Sequence, residues 1–256
     1  MESSRREMLG LLGVAIGTAA VAPLLGQQAL AVPVRAKAGD APWPYVPLDP
    51  KAVAERAYEA YLDGHCMYGT FAGIVGELAA LKGAPYNTFP LAMMKYGAGG
   101  GAEWGTLCGT LNGSAAAIAL LSKNPTPLID ELFGWYQTAK LPDYRPGDAI
   151  YEIAPSVARS PLCHVSVSRW CKATGLHSLS KERYERCGWL AACCAKKAVE
   201  LLNSQAAGKF QASYPLPARV QECRGCHDRG GVVENTRGKM ECGVCHFSLG
   251  TGHTKI

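Results

Sequence analysis

The sequence has few charged residues and no concentrated run of either sign. Asp, Glu, Lys and Arg make up 18% of the 256 residues, below the usual level of about a quarter. The 26 basic and 21 acidic residues are scattered, and the formal net charge is +5. Because phosphate binding needs a concentrated basic patch, we expect no nucleic-acid partner. Hydrophobic residues reach 48%, which excludes a chain that is disordered throughout.

The sequence also lacks the alternating polar and apolar pattern of β-strands, so we predict a mainly α fold. Asp49-Pro50 predicts the start of the first helix, with Asp as N-cap and Pro at the first position. Helices are predicted at 50–62, 66–81, 107–121, 127–139, 162–172 and 181–206. The predicted organisation is an extended Pro-rich leader over 32–49, a helical Cys-rich domain over 50–208, and an irregular C-terminal segment over 209–256 that a cofactor orders.

Residues 1–31 are typical of an export signal. Ser4-Arg5-Arg6 has the twin-arginine arrangement, and an apolar stretch follows over residues 8–26. Ala29-Leu30-Ala31 fits a cleavage site, with Ala36-Lys37-Ala38 as a second choice. An uncleaved membrane anchor is the alternative. We expect twin-arginine export to the periplasm, with no stable membrane insertion after cleavage.

The C-terminal segment contains two C-x-x-C-H motifs, the attachment signature of c-type haem. In each motif two thiols form thioethers with the haem, and the adjacent His binds the iron as proximal ligand. We therefore predict two covalent haems bound by Cys223, Cys226 and His227, and by Cys242, Cys245 and His246. The same spacing also fits a zinc ribbon or one disulfide in each motif. The His that follows both cysteine pairs favours haem.

A second, distal iron ligand has to come from elsewhere in the chain or from a partner subunit. The candidates are His65, His164, His177 and His253, each of which could also be an ordinary polar residue. We rank His164 first, because it follows Cys163 at a predicted helix start. His253 ranks second.

Seven further cysteines lie in the helical part, and the odd total of eleven cannot be fully paired within one chain. We interpret Cys193 and Cys194, in an Ala-rich helix, as small buried residues. Cys66, Cys108 and Cys163 stand at predicted helix starts, where free N–H groups and the helix dipole favour thiolate. These three predict an iron or iron–sulfur site.

Three blocks around these cysteines, at residues 66–69, 105–113 and 160–166, resemble the C_GCAxxG_C_C family of helical cysteine proteins. Together with the twin-arginine start and both haem motifs, the whole chain resembles the split-Soret cytochromes c of sulfate-reducing bacteria. The resemblance implies a homodimer with two stacked haems per subunit, bis-His ligation with a distal ligand exchanged between subunits, and an additional iron–sulfur centre. It maps the core cysteines to Cys66, Cys108 and Cys163. The fourth departs from the family pattern, and we favour Cys187 over Cys171, Cys193 and Cys194.

Electron transfer between redox partner proteins is the function that these cofactors predict. An oxidoreductase acting on a small periplasmic substrate is the alternative, and it would need an open iron position or a pocket with acid–base groups. The sequence shows no such group of acid–base residues around Glu103 or Asp143. A redox sensor would need a signalling domain, and the sequence shows none.

Overall fold

The computed structural model describes residues 41–244 and residue 246. The predicted export signal, Cys245 and His253 lie outside these residues. The chain is mainly helical, as predicted, and the described part contains only isolated β-bridges. The helices are α1 (Pro50–Lys82), α2 (Gly109–Leu121), α3 (Pro125–Thr138), α4 (Cys163–Thr174), α5 (Lys181–Ala206) and α6 (Ala218–His227), with short 3₁₀ turns at Tyr86–Thr88, Leu91–Gly97 and Cys242–Val244.

Helix α1 is a hairpin of two helical halves, as the predicted break between residues 62 and 66 requires. Its backbone leaves helical geometry at His65, where φ is 63° and ψ is −162°. The halves then pack against each other, since Arg56 forms a 2.7 Å ion pair with Glu77. At the N-terminus the Asp49 carboxylate accepts a hydrogen bond from the Lys51 N–H at 2.9 Å, which confirms the predicted cap.

Helix α5 packs against the α1 hairpin and against α2, and α3 covers the α2–α5 side. Apolar side chains from all four helices form the main core, including Val53, Ile74, Leu78, Leu111, Leu132, Leu190 and Val199. The described end of the leader is bound to this core. The Asn203 side-chain amide exchanges two hydrogen bonds with the backbone of Leu48, at 2.8 and 3.1 Å, and the Trp43 N–H donates to Leu120 O at 2.7 Å.

The C-terminal segment is mostly exposed, and Val220 is the only buried residue between 211 and 243. It contains α6 over the first C-x-x-C-H motif, a helix that sequence composition does not predict. The segment is joined to α3 at two places. The Glu131 carboxylate accepts from the N–H groups of Ser213 and Tyr214 at 2.8 and 3.0 Å, and Lys239 pairs with Asp130 at 2.6 Å. Across residues 41–244 and 246, no helix has the length and apolarity needed to cross a bilayer.

The close contact within the α1 hairpin predicts opposite effects for two helical glycines. A Cβ on Gly73 would lie 2.6 Å from the Ala57 Cβ and 2.8 Å from its Cα, whereas a Cβ on Gly76 would meet only the Arg56 side chain, at 3.5 Å. We expect Gly73→Ala to lower the free energy of unfolding by about 2 kcal/mol through overpacking. Gly76→Ala should raise it by about 0.5 kcal/mol through helix propensity. Urea denaturation measures both, and equal effects would contradict the hairpin contact.

Candidate iron and haem sites

Three of the predicted site cysteines lie at helix starts, as the sequence indicated. Cys66 directly follows the reversal at His65, Cys108 is the N-cap residue of α2, and Cys163 is the first residue of α4. The segments that precede α2 and α4 are joined by an isolated antiparallel bridge between Leu107 and Leu162. The Cys108 N–H donates to Pro161 O at 2.8 Å, and the Cys163 N–H donates to Thr106 O at 2.7 Å. This pairing brings both helix starts together.

Cys187, from the second turn of α5, completes a group of four thiols. Its side chain packs with that of Cys66 in a small buried cluster, and Cys163 interacts electrostatically with both Cys108 and Cys187. We call Cys66, Cys108, Cys163 and Cys187 the four-thiol group. Cys163 is partly exposed and the other three are buried. The structure thus brings together the four cysteines that the sequence favoured.

The thiols of the four-thiol group differ in the direction of their pKa shifts. The hydrogen bond to Cys187 and burial raise the pKa of Cys66, while burial raises the pKa of Cys163 to about 12. The hydrogen bond from Cys66, followed by the charges of Arg186 and Arg183, lowers the pKa of Cys187 to about 5. The surroundings therefore favour the thiolate form at Cys187 and disfavour it at Cys66 and Cys163.

The backbone approaches the four-thiol group so closely that one position requires glycine. A Cβ on Gly109 would lie 2.7 Å from the Cys66 Cβ and 2.5 Å from Gly97 O. Across residues 41–244 and 246, no three His, Cys, Asp or Glu side chains stand in direct metal-coordinating geometry. The four thiols are thus close neighbours without forming a ready-made site for a single bare ion.

The remaining helical cysteines occupy different surroundings. Cys193 lies 3.9 Å from Tyr144 O, and burial raises its thiol pKa. The Cys194 thiol donates to Thr110 Oγ1 at 3.3 Å, and this oxygen lies 3.2 Å from the Cys108 Sγ. Cys171 packs beside the small cluster around Trp170. All ten described cysteines are free thiols.

The first C-x-x-C-H motif lies in the last turns of α6 and presents its histidine in one orientation. His227 Nδ1 lies 2.8 Å from the Asn235 Oδ1. Because an amide oxygen only accepts, Nδ1 carries the proton and the lone pair lies on Nε2. The loop that contains Asn235 is held by the Val233 N–H to Cys226 O and the Thr236 N–H to His227 O, both at 2.9 Å.

The second motif lies beside the first. Burial raises the pKa of Cys242, and its charge interaction and hydrogen bond with Cys223 raise it further. The His246 N–H donates to Cys242 O at 2.9 Å, and its side chain is exposed. The two motifs are therefore neighbours, as the packing of α6 against the 3₁₀ turn at Cys242–Val244 also shows.

Among the candidate distal ligands, His164 has the best defined geometry. Its exposed ring places Nδ1 2.9 Å from Gly105 O, so the lone pair again lies on Nε2. His65 packs edge-on against Tyr61, with ring centroids 5.9 Å apart. His177 is exposed in the connection before α5.

Sequence reasoning did not single out the polar side chains that contact the thiols and His227. Thr110, Tyr136, Ser166, Arg186 and Asn235 match no ligand spacing, and their contacts arise from packing between separate helices or from a loop. Only a weak signal in the sequence points to one of these residues. Arg186 directly precedes Cys187, and both residues are buried in α5.

The contact between the two motifs predicts a specific crosslink. When the protein is prepared without haem, mild oxidation should join Cys223 to Cys242, because α6 packs against the 3₁₀ turn at Cys242–Val244 and the two thiols interact electrostatically. Non-reducing peptide mapping by mass spectrometry identifies the pair, and Cys242→Ser is the control that should abolish it. Crosslinks confined to Cys223 and Cys226 would contradict the observed arrangement.

Comparison with known proteins places these features in a family. Residues 69–201 match the family described as "Putative redox-active protein (C_GCAxxG_C_C)". The split-Soret cytochrome c of Desulfovibrio desulfuricans (strain ATCC 27774 / DSM 6949 / MB) is 40% identical over 275 aligned positions, which cover 100% of this chain and 99% of the relative.

A solved structure, described as "A novel iron centre in the split-Soret cytochrome c from Desulfovibrio desulfuricans ATCC 27774", has the same fold. The TM-score is 0.76 at 39% identity, over 80% of this chain and 90% of that chain. The resemblance drawn from the sequence is confirmed. The chain belongs to the split-Soret cytochrome c family and is a redox-active cytochrome.

Proposed function

We propose that this protein is a periplasmic dihaem c-type cytochrome that transfers electrons between redox partners and holds an additional iron–sulfur centre in its four-thiol group. The observation that carries the proposal is that the two C-x-x-C-H motifs are neighbours, since α6 packs against the 3₁₀ turn at Cys242–Val244 and Cys223 interacts electrostatically with Cys242. Haems attached at neighbouring thiols would lie close together, and a bound haem supplies reversible one-electron chemistry.

The donor set of the first motif fits a covalent haem. Cys223, Cys226 and His227 share the end of α6, and the Asn235 side chain accepts from the His227 Nδ1–H, which makes Nε2 the nitrogen that would bind iron. A zinc ribbon would use only the thiols and would leave this oriented imidazole without a role. The C-terminal segment, in which Val220 is the one buried residue between 211 and 243, would gain the apolar surface it lacks by packing on porphyrin faces.

His164 is our proposed distal ligand for one haem. Its exposed position makes it accessible to a second subunit, and the Gly105 carbonyl fixes its ring with Nε2 available. Ligation by a neighbouring subunit is also what the family resemblance implies, so the proposal includes a homodimer. His253 remains the candidate for the second haem.

The four-thiol group fits an iron–sulfur centre in its chemistry. It offers four soft sulfur donors, each from a separate segment of the chain, and three of these sulfur-bearing residues are buried. The charges of Arg183 and Arg186, which lower the pKa of Cys187, would also offset the negative charge of several thiolates. The solved relative is described as containing a novel iron centre.

Twin-arginine export is consistent with this pair of cofactors. That route transports folded proteins, so the helical core could acquire its iron–sulfur centre in the cytoplasm. Covalent haem is attached after export, and both haem motifs lie outside the helical core. The core and the C-terminal segment would therefore mature in two separate steps.

Haem attachment can be tested by removing one motif. In Cys223→Ala/Cys226→Ala we expect the pyridine haemochrome to fall to about half, because the second motif still binds its own haem. Cys171→Ala, which changes a helical cysteine outside both motifs, should retain the full haem content. Unchanged haem in the double variant would reject the proposed attachment site.

The iron–sulfur ligands can be tested with two cysteines of the same helix. Cys187 and Cys193 are both buried in α5, but only Cys187 contacts another thiol of the four-thiol group. We expect Cys187→Ala to lose most of the non-haem iron and acid-labile sulfide while both haems remain. Cys193→Ala should retain the iron and sulfide. The reverse result would show that the fourth ligand is wrongly assigned.

A further inference from the structure

Arg186 is a buried cation without a carboxylate partner. Its side chain is 1% exposed and lies over the Trp170 ring, with the guanidinium carbon 5.8 Å from the ring centroid. Within the described part of the chain, no Asp or Glu oxygen lies within 4.0 Å of it. Its Nε has no hydrogen-bond partner. Burial of an unpaired charge is costly, so the fold needs a compensating negative charge nearby.

The guanidinium is connected to the four-thiol group by a chain of buried hydrogen bonds. Arg186 Nη2 donates to Ser166 Oγ at 3.0 Å, and Ser166 Oγ lies 2.9 Å from the Tyr136 hydroxyl oxygen. The Tyr136 O–H in turn donates to Cys108 Sγ at 3.3 Å. The chain crosses from α5 through α4 and α3 to the start of α2, and every member is buried.

Donor and acceptor chemistry fixes the direction of this chain. A guanidinium only donates, so Ser166 accepts from Arg186 and its single hydroxyl proton is free for Tyr136. Tyr136 then gives its own proton to the sulfur. A metal-bound thiolate only accepts hydrogen bonds. If Cys108 binds iron, its hydrogen bond with Tyr136 can therefore run only from the Tyr136 hydroxyl to the sulfur. Thr110 can add a second hydroxyl donor, because its Oγ1 lies 3.2 Å from the same sulfur.

We propose that Arg186 is the permanent counter-cation of the iron–sulfur centre, and that Ser166 and Tyr136 transmit its charge to the Cys108 sulfur and thereby raise the reduction potential of that centre. The proposal rests on the iron–sulfur centre of the proposed function. Reduction adds an electron at a buried site where electrostatic interactions are strong. A nearby positive charge and O–H···S hydrogen bonds favour the reduced form.

The test measures the potential of the iron–sulfur centre in the complete, cofactor-loaded protein. Tyr136→Phe removes one hydroxyl and keeps the ring. We expect the equilibrium constant for one-electron reduction to fall about tenfold, which corresponds to a potential about 59 mV lower. The matched control is Tyr45→Phe, since the Tyr45 hydroxyl donates to the Asn203 side chain at 2.7 Å instead of to a thiol. That variant should leave the potential unchanged.

A vibrational measurement separates this role from a structural one. Resonance Raman bands of the iron–cysteine bonds should shift between H₂O and D₂O in the unmodified protein, because an exchangeable proton is bonded to the sulfur. Loss of Tyr136 should reduce that shift. Ser166→Ala, which leaves Tyr136 in place but interrupts the chain to Arg186, should lower the potential in the same direction by a smaller amount.

Each outcome bears on a different proposal. If Tyr136→Phe does not retain iron, Ser166→Ala decides, because it leaves the group that contacts sulfur intact. Unchanged potentials and unchanged isotope shifts in iron-loaded variants would overturn the role of the chain while the proposed electron-transfer function stands. An unmodified protein with two haems but no non-haem iron or sulfide would instead overturn the iron–sulfur centre, and this inference with it.

Discussion

The pairing of two short backbone segments determines where the chemistry of this protein can occur. Residues 105–108 and 161–164 exchange three hydrogen bonds, two of them at Cys108 and Cys163 and the third from the His164 N–H to Gly105 O at 3.2 Å. A backbone pairing of this kind fixes the direction as well as the position of each following helix. Two thiols and one candidate haem ligand therefore depend on the same few peptide groups, in a region where the sequence is rich in glycine.

The helical domain and the C-terminal segment differ in how they are stabilised. The domain has a continuous apolar core formed by α1, α2, α3 and α5, which satisfies the usual requirement for independent folding. The C-terminal segment contributes Val220 as its one buried residue between 211 and 243, and a few polar contacts join it to α3. Under the proposed function, two covalently bound haems would supply the apolar surface that the segment's own side chains do not.

The features that the sequence predicted are those set by local chemistry. Asp49-Pro50 identifies the start of α1, and the glycine before His65 marks the reversal within one or two residues. The C-x-x-C-H motifs can be recognised because their residues are adjacent in the chain, and haem attachment to them stays a prediction. The helix α6 was not predicted, since the composition of its surroundings resembles that of a loop. The hydrogen-bond partners of Cys108 and His227 could not be predicted from the sequence either. Tyr136 lies 28 residues from Cys108 along the chain, and the contact between Asn235 and His227 depends on the conformation of a loop.

Cys163 and His164 are consecutive residues, and their roles in the proposed function link the two cofactor systems. Cys163 belongs to the buried four-thiol group, whereas the His164 ring is exposed and its Nδ1 is hydrogen-bonded to Gly105 O. Consecutive side chains at a helix start point in different directions. Two adjacent residues can therefore supply one ligand to a buried centre and another at the surface. Under the proposed ligation, the buried thiols and a haem of the neighbouring subunit would be separated by little more than this one peptide unit. Dimer formation would then determine whether electrons can pass between the buried centre and the haems, because a subunit alone would lack the ligand contact that connects them.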